Sequence, residues 1–365
     1  MKVYKSSLTI RGDSLYCPLA FGLDSYWQCP YNCRYCYCRG LNATWGNEQR
    51  VADPDLVLNT LRSGGGKGNS SLSNAIRNRN TIRFGNKTDP FPPEERGLGV
   101  TRRILVGLKE LDWSVKLETK STDYLRSEYL NTLDSGRCII TSTVTCGLNK
   151  DWAAFESPLL PTPESRLAAL REMSRLGFQV GVISEPFLPG WHTIEDWRNL
   201  LTALLDHGIQ RVNVYHAHLN AFVLKRLNEV NGLDVEEVWR SNEDSEWRPV
   251  LKQIVEETRK VGIVLGCPDF VNSGPFSQQS NTCCGVDVPR PTTFNFINWK
   301  QQGQRHGGVS WDDAEATWDG VGDKDLAHKI FDGKDVEFYG WDDVGWVKTG
   351  NRWGPGEAEP DGRFF

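Results

Sequence analysis

Short apolar runs alternate with amphipathic segments between about residues 15 and 265, and this alternation predicts repeated strand–helix units. The runs are rich in Val and Ile and nearly continuous, which is typical of parallel strands covered on both faces. We predict strands at Thr81–Asn86, Ser114–Lys120, Cys138–Thr145, Val180–Pro186, Arg211–His216 and Gly262–Gly266. The pattern therefore favours an α/β fold built as a partial or full parallel (β/α) barrel.

Capping residues predict where the intervening helices begin and end. Pro163 follows a threonine and precedes a predicted helix over Ser165–Leu176, because proline is favoured at the first helical position. Two further helices are predicted, one from Thr193 through His207 and one that begins near Asn220 and stops by Gly232. Each predicted helix is followed by a glycine, which is the usual stop signal.

The amino-acid composition of the chain changes after the last predicted strand. Residues 266–365 contain sixteen acidic and nine basic side chains, and six of the fourteen Trp residues. We therefore predict a (β/α) barrel domain over 1–265 and an acidic, Trp-rich region over 266–365. The second region is expected to be loop- and β-rich and to cover the active site.

Composition excludes some classes of protein. With 39% hydrophobic and 24% charged residues the chain can bury a core, so global disorder is excluded. A net charge of −5 argues against non-specific coating of nucleic acid. No apolar run is long enough for a membrane span, and the first residues lack a secretory apolar stretch. We predict a cytoplasmic protein without a membrane partner.

Ten cysteines call for an explanation, because cytosolic thiols are kept reduced and clustered ones favour metal or redox chemistry. Cys29, Cys33 and Cys36 have the spacing C-x3-C-x2-C on one turn-rich segment. Three thiolates can hold three irons of a [4Fe–4S] cluster and leave the fourth iron open for a substrate or cofactor. The alternative is zinc with Cys38 as fourth ligand, in a binding protein without catalysis. Structural zinc sites usually use two separated cysteine pairs.

Further segments accompany the cysteine loop, in which Tyr35 stands just before the last cysteine. They are Phe84–Pro90, Leu117–Lys120, Phe155–Ser157 leading into Arg166–Leu170, and Gly181–Phe187. Over about residues 20–220 the chain resembles the radical S-adenosylmethionine (radical SAM) superfamily, and in particular its spore photoproduct lyase-like branch.

The resemblance implies that S-adenosylmethionine binds the open iron and that one electron cleaves it to a 5′-deoxyadenosyl radical, which abstracts hydrogen from the substrate. It implies a reducing partner of the flavodoxin or ferredoxin type. By the same resemblance, cofactor contacts are expected at Tyr35, Asn86, Lys120, Ser142 and Glu185, and a contribution of Tyr37 to hydrogen transfer.

One departure from the lyase pattern concerns the hydrogen donor. The lyase has a donor cysteine at the position of Asn86, and an amide has no readily abstracted hydrogen. This argues against a true spore photoproduct lyase and favours a lyase, isomerase or base-modifying enzyme of another kind. Either Cys146, Cys38 or Cys267 donates instead, or the substrate radical is resolved without a donor.

A second cysteine group consists of Cys267, Cys283 and Cys284. One interpretation is an auxiliary iron–sulfur cluster, completed by Cys17 or Cys38. The other is that these cysteines are small buried apolar side chains, a role that free cysteine often fills.

The substrate is predicted from weaker signals. Tyr215, His216 and His218 stand at a strand end, where barrel active sites collect. They are candidates for a catalytic, substrate-binding or proton-transfer role; the alternative is that they are hydrogen-bonded structural side chains. The stretch 77–103 is locally basic and is either a phosphate-contacting rim or a solvated face. We predict a modified nucleobase, in DNA or a nucleotide, as substrate; the alternative is a small metabolite or a peptide.

Overall fold

The computed structural model describes residues 2–4, 7–10, 17–42, 50–148, 152–266, 280–293, 308–322, 324–325, 328, 338–339, 344–349, 352–357 and 363–364. The strands are β1 (Lys2–Tyr4), β2 (Leu8–Ile10), β3 (Phe21–Leu23), β4 (Arg50–Ala52), β5 (Ile82–Phe84), β6 (Val115–Thr119), β7 (Cys138–Thr143), β8 (Gln179–Phe187), β9 (Arg211–His216), β10 (Val264–Gly266), β11 (Val309–Ser310), β12 (Phe338–Tyr339), β13 (Val344–Thr349), β14 (Arg352–Glu357) and β15 (Arg363–Phe364).

The helices are α1 (Tyr37–Asn42), α2 (Pro54–Arg62), α3 (Ser71–Arg77), α4 (Glu95–Leu98), α5 (Val100–Glu110), α6 (Ser127–Leu130), α7 (Pro163–Arg175), α8 (Ile194–Asp206), α9 (Ala221–Leu227), α10 (Val235–Ser241), α11 (Asp244–Lys260) and α12 (Trp311–Ala316). Short 3-10 helices cover Asp123–Leu125 and Trp152–Ala154. None of the helices that the structure describes combines the length and the apolar character that a membrane span requires.

The central sheet has eight strands in the order β10-β9-β8-β7-β6-β5-β3-β2. All neighbours are parallel except β2, which pairs antiparallel with β3. Among the described strands β2 and β10 have no second neighbour in this sheet, so the barrel is partial and open. The predicted α/β class, the six strands and the three helices are confirmed, with ends shifted by a few residues at most elements.

Helix starts follow the caps that the sequence carries. The Thr162 hydroxyl accepts a hydrogen bond from the Ser165 amide at 3.2 Å, directly ahead of α7. Thr193 and Asp196 form a reciprocal capping box at the start of α8. These bonds satisfy amide groups that have no partner within the helix.

The two faces of the sheet differ in chemistry. The face toward the helices carries the main apolar core, to which Leu117 of β6 belongs. Successive side chains of a strand point to opposite faces, so Lys116 and Glu118 face the barrel interior. Glu118 pairs there with Lys116 and, at 2.7 Å, with Arg83. Lys116 is fully buried, and its pairing with Glu118 offsets part of the cost of removing its charge from water.

Residues 280–293 lie at the amino-terminal ends of the parallel strands. The Thr81 amide before β5 donates to the Arg290 carbonyl at 2.8 Å, and the Gln179 amide group at the start of β8 donates to the Asp287 carbonyl at 3.0 Å. This part of the region predicted to cover the active site therefore contacts the opposite end of the sheet. Further along, β11, β14 and β13 form a three-stranded antiparallel sheet, as expected for a β-rich region. The division at residue 265 stays a prediction.

The contact between α2 and α5 depends on a glycine. A methyl group at Gly107 would overlap three atoms of the buried Leu58 side chain. We expect Gly107→Ala to lower the free energy of unfolding by about 1–3 kcal/mol through overpacking, although alanine is the better helix former. Chemical denaturation measures this, with Gly97→Ala of α4 as control because that position faces open space. Equal stability of the two variants would contradict the packing.

Candidate active site

The segment between β3 and α1 carries the three predicted metal ligands and is largely irregular in structure. Cys29, Cys33 and Cys36 all line one cavity of about 420 Å³. Cys33 is buried, and the other two are partly exposed. The structure therefore brings the three thiols to one cavity wall.

Hydrogen bonds from outside hold this segment, which we call the cysteine loop (residues 29–36). Arg226 of α9 donates to the carbonyls of Cys33 at 2.8 Å and Asn32 at 2.6 Å. Arg39 donates to the Cys29 carbonyl at 3.1 Å. Asn32 has a φ of 52°, a conformation that asparagine tolerates better than most residues. The loop thus takes its shape from two arginines rather than from a helix or strand.

The cavity lies at the carboxyl ends of β5, β6, β7, β8 and β9, where parallel barrels carry their active sites. Of the predicted site residues it is lined by Cys29, Cys33, Cys36, Tyr35, Tyr37, Asn86, Lys120, Glu185 and Tyr215. His216 and His218 line it as well. Residues from distant parts of the sequence are therefore gathered around one space.

Ser142, a predicted cofactor contact, does not line this cavity. It shares a face of β7 with Ile140, which belongs to the helix-side core, and its hydroxyl is buried without a hydrogen-bond partner. Its neighbour Thr143 points the other way and lines the cavity. Because side chains alternate between the two faces of a strand, it is Thr143 rather than Ser142 that faces the cavity.

Cys146, a candidate hydrogen donor, lies in a small separate pocket beside the main cavity. The two spaces share Tyr35 and Pro186 in their walls. Cys146 is 2% exposed and belongs to the helix-side core. The thiol that lines the main cavity next to the three predicted ligands is Cys38, which hydrogen bonds to Cys36.

Cys283 and Cys284 lie far from the cysteine loop, in an apolar cluster with Cys17 and Ile139 at the amino-terminal ends of the strands. Cys283 makes side-chain hydrogen bonds to both Cys17 and Cys284. Three thiols are thus adjacent in this cluster, two of them from the predicted auxiliary group. Cys267 lies outside the described residues.

Glu156 is the main functional candidate that the sequence interpretation did not assign. Its carboxylate accepts hydrogen bonds from the Tyr35 hydroxyl and from Arg166, and it lies 3.9 Å from the Lys120 ammonium. Burial alone would raise the pKa of Glu156, but the charges of Lys120 and Arg166 outweigh it and hold the pKa below its usual range. Glu156 stood in a segment that carried the family resemblance, which was the one available signal.

Two further carboxylates, the buried Asp24 and the partly buried Asp89, hold the backbone around the cavity. Asp89 accepts hydrogen bonds from the Lys120 amide at 2.7 Å and from the Thr119 hydroxyl at 2.8 Å. Asp24 accepts from the amides of Lys87 at 2.8 Å and Thr88 at 3.0 Å. Both carboxylates join the segment after β5 to a neighbouring part of the chain. They fix the positions from which Lys87 and Lys120 reach the cavity.

Aromatic rings form a continuous group on one side of the cavity. The centres of the Tyr37 and His218 rings lie 4.7 Å apart, and those of the His218 and Tyr215 rings lie 5.0 Å apart. Tyr215 in turn contacts the His216 ring at 4.5 Å. Two phenols predicted as catalytic are therefore linked through one histidine.

Three cysteine side chains on one loop are a donor set that suits iron or zinc, but among the described residues no three such side chains stand close enough together to hold a metal ion. Burial raises the pKa of Cys33 to about 12 and raises that of Cys29 as well. The hydrogen bond from Cys38 lowers the pKa of Cys36 to about 6. Burial therefore keeps Cys29 and Cys33 protonated in the metal-free chain, and a metal that binds them must displace these protons.

The basic stretch 77–103 does not form a single rim. Arg83 forms an ion pair with Glu118 inside the barrel, and Arg103 forms one with Asp55 at 3.0 Å. Arg79 bonds to the Leu111 and Asp112 carbonyls, and of this stretch only Lys87 carries its charge to the described cavity. Arg79, Arg83 and Arg103 are thus paired within the fold, and the choice between a phosphate-contacting rim and a solvated face stays a prediction for the stretch as a whole.

The open, mostly parallel sheet, which here carries the cysteine loop after its first parallel strand, is shared with solved structures of low sequence identity. Among solved structures the chain is similar to a double mutant of spore photoproduct lyase with bound AdoMet and dinucleoside spore photoproduct. Identity is 13%, the match covers 73% of this chain and 80% of that chain, and the TM-score is 0.54. Spore photoproduct lyase complexed with the dinucleoside alone gives 14% identity, coverages of 71% and 79%, and a TM-score of 0.50.

SuiB of Streptococcus suis also matches, at 10% identity over 67% of this chain and 47% of that chain, with a TM-score of 0.45. No protein-family model matches the chain, and no curated protein does so at a significant level. The lyase similarity confirms the predicted resemblance at the level of the fold.

Asp24 gives the fold a testable dependence on pH. Burial raises the pKa of Asp24 to about 6, from an ordinary value of 3.8. The folded state therefore binds this proton more tightly than the unfolded state, and its stability falls as pH rises through the interval between the two values. Asparagine keeps the acceptor oxygen without the charge. We expect Asp24→Asn to gain about 1–2 kcal/mol relative to the parent between pH 5 and pH 8.

Denaturant titrations of both proteins at the two pH values measure this difference. A difference in unfolding free energy that does not change between pH 5 and pH 8 would refute the assignment of a raised pKa to Asp24.

Proposed function

We propose that the chain is a radical SAM enzyme. The observation that carries this is the cavity: three thiols of one short loop open into a space of about 420 Å³ at the carboxyl ends of parallel strands. A loop with three thiolate ligands leaves one iron of a cube without a protein ligand. The fold shared with spore photoproduct lyase supports the same conclusion.

In this proposal Cys29, Cys33 and Cys36 bind a [4Fe–4S] cluster, and S-adenosylmethionine binds beside it. When both are bound and an electron is supplied, they provide a 5′-deoxyadenosyl radical able to abstract hydrogen from carbon. The chain's own contribution is to hold the cofactor and exclude water. Tyr35, Asn86, Lys120 and Glu185 line the space where it would lie. The electron would come from a flavodoxin- or ferredoxin-type protein, and the location proposed is the cytoplasm.

The proposed substrate is a modified nucleobase, in DNA or a nucleotide. Support comes from the dinucleoside bound by the similar lyase and from the aromatic rings that line one side of the cavity. A base within a duplex would have to be flipped out to enter. A small metabolite or a peptide is the alternative substrate, because few positive charges reach the cavity.

Tyr37 and Tyr215 are the proposed hydrogen-transfer residues, since Asn86 replaces the donor cysteine of the lyase pattern. Both phenols line the cavity and share contact with His218. Cys146 stays a weaker candidate, because it faces a separate pocket. The reaction class, whether lyase, isomerase or base modification, follows from which atom receives the hydrogen.

An auxiliary cluster is a further proposal. Cys283 and Cys284 supply two adjacent thiols, and Cys17 supplies a third. A competing zinc interpretation has its own support at the cysteine loop, where Cys38 hydrogen bonds to Cys36 in the same cavity. Metal analysis separates these cases.

Anaerobically reconstituted protein is expected to contain about four irons per chain, or about eight if the auxiliary cluster forms. Cys33→Ala should lose the cavity cluster and all reductive cleavage of S-adenosylmethionine, because one of three ligands is gone. Cys138→Ala is the matched control, a buried cysteine in the helix-side core that should keep both. Colourless protein containing zinc, or cleavage retained by Cys33→Ala, would refute the proposed function.

The substrate is tested with an oligonucleotide deuterated at the carbon positions of its thymine bases, before and after ultraviolet irradiation. We expect deuterium in 5′-deoxyadenosine with at least one form, measured by mass spectrometry. Tyr215→Phe should still abstract deuterium but return hydrogen to the substrate about tenfold more slowly. Cleavage without any deuterium transfer from either DNA would overturn the nucleobase proposal and favour the metabolite or peptide.

A further inference from the structure

A buried charge group stands directly behind the cavity wall. Arg166 and Glu156 both have side chains no more than 1% exposed, and Arg166 donates to Glu156. Arg166 also donates to the Pro161 and Thr143 carbonyls, each at 2.9 Å. The guanidinium is therefore fixed by three partners, and it fixes one oxygen of the Glu156 carboxylate.

The other oxygen of Glu156 faces the cavity wall. It accepts the hydrogen bond from Tyr35 and lies 3.9 Å from the Lys120 ammonium. The same ammonium lies 5.4 Å from the centre of the Tyr35 ring. The Glu156 carboxylate therefore sets the position of the Tyr35 phenol relative to the Lys120 ammonium.

Lys120 is otherwise a flexible side chain at the edge of an open space. Its backbone amide is held by Asp89, whereas its side chain is 16% exposed and ends beside the Tyr35 ring. Fixing such a side chain before a ligand arrives removes part of the entropy cost of binding. A preorganised charge also interacts more strongly in a partly dry cavity than one that has to reorient.

We propose that Glu156, braced by Arg166, is a positioning residue that preorganises Lys120 and Tyr35 to bind S-adenosylmethionine. This inference rests on the proposed function, since it names that cofactor as the ligand. Glu156 itself does not line the cavity. Its effect is exerted through the two side chains that do.

The primary variant is Glu156→Gln, which keeps the shape of the side chain and removes its charge. In reconstituted protein we expect the dissociation constant of S-adenosylmethionine to rise about tenfold, because Lys120 is no longer held. Iron content should stay at the parental level, since no cluster ligand is altered. The change that S-adenosylmethionine causes in the electron paramagnetic resonance spectrum of the reduced cluster should weaken or shift.

Glu156→Gln leaves the buried Arg166 without a counter-charge and will lose stability for that reason alone. The double variant Glu156→Gln/Arg166→Met removes both charges and should recover much of the stability. Its affinity for S-adenosylmethionine should stay as low as in the single variant. Recovery of affinity together with stability would show a merely structural role and overturn the inference.

Glu95→Gln is the matched control. Glu95 is also a buried carboxylate, and it accepts hydrogen bonds from the hydroxyls of Tyr26 and Tyr129. It accepts two more from the backbone amides of Thr101 and Arg102, and it does not line the cavity. It should lower the melting temperature and leave the dissociation constant unchanged. Parental protein that fails to bind S-adenosylmethionine would overturn the proposed function and the inference together. If the parental protein binds S-adenosylmethionine and the dissociation constant of Glu156→Gln lies within twofold of the parental value, the inference alone would be overturned.

Discussion

The site depends on backbone hydrogen bonds that the cysteine loop cannot make for itself. Residues 29–36 contain little helix or strand, so their carbonyl and amide groups need partners from elsewhere. Arg39 and Arg226 bind three of the carbonyls, and the Phe155 carbonyl accepts the Arg34 amide at 2.7 Å. Three thiols can serve one metal cluster only while these bonds keep the loop in one shape.

Buried carboxylates complete the same arrangement on the other walls of the cavity. Asp24 and Asp89 bind backbone amides, whereas Glu156 binds side chains. Each of these anions costs free energy to remove from water. Cations and donors outweigh that cost at Glu156, whereas the donors at Asp24 and Asp89 offset only part of it and their pKa values stay raised. The walls are thus rigid because polar groups are paired, and the apolar core on the far face of the sheet supplies most of the stability.

Local patterns were sufficient for only part of the fold, because strands β5 to β10 and helices α7, α8 and α9 were predicted but the long helix α11 was not. Apolar runs located β6 to β9, and the caps at Thr162 and Thr193 located two helices, because these features act within a few residues. The three predicted metal ligands could also be found from the sequence, because their spacing on one loop suffices to bring the thiols together.

Features that depend on contacts between distant parts of the chain could not be predicted from the sequence in this way. Ser142 stands beside the cavity-lining Thr143, and only the register of β7 decides which of the two faces the cavity. Cys283 and Cys284 lie near Cys17 at the amino-terminal ends of the strands, because residues 280–293 cross there. The role of Glu156 requires three partners from separate segments, which no sequence spacing encodes.

The central claim is that one iron of the bound cluster has no protein ligand. Mössbauer spectroscopy of protein reconstituted with isotopically enriched iron tests it directly, with and without S-adenosylmethionine. The account predicts that about one quarter of the cubane iron signal changes when S-adenosylmethionine is added, because one site in four is open. Spectra that stay the same after the addition, or reconstituted protein that holds no iron–sulfur cluster, would contradict it.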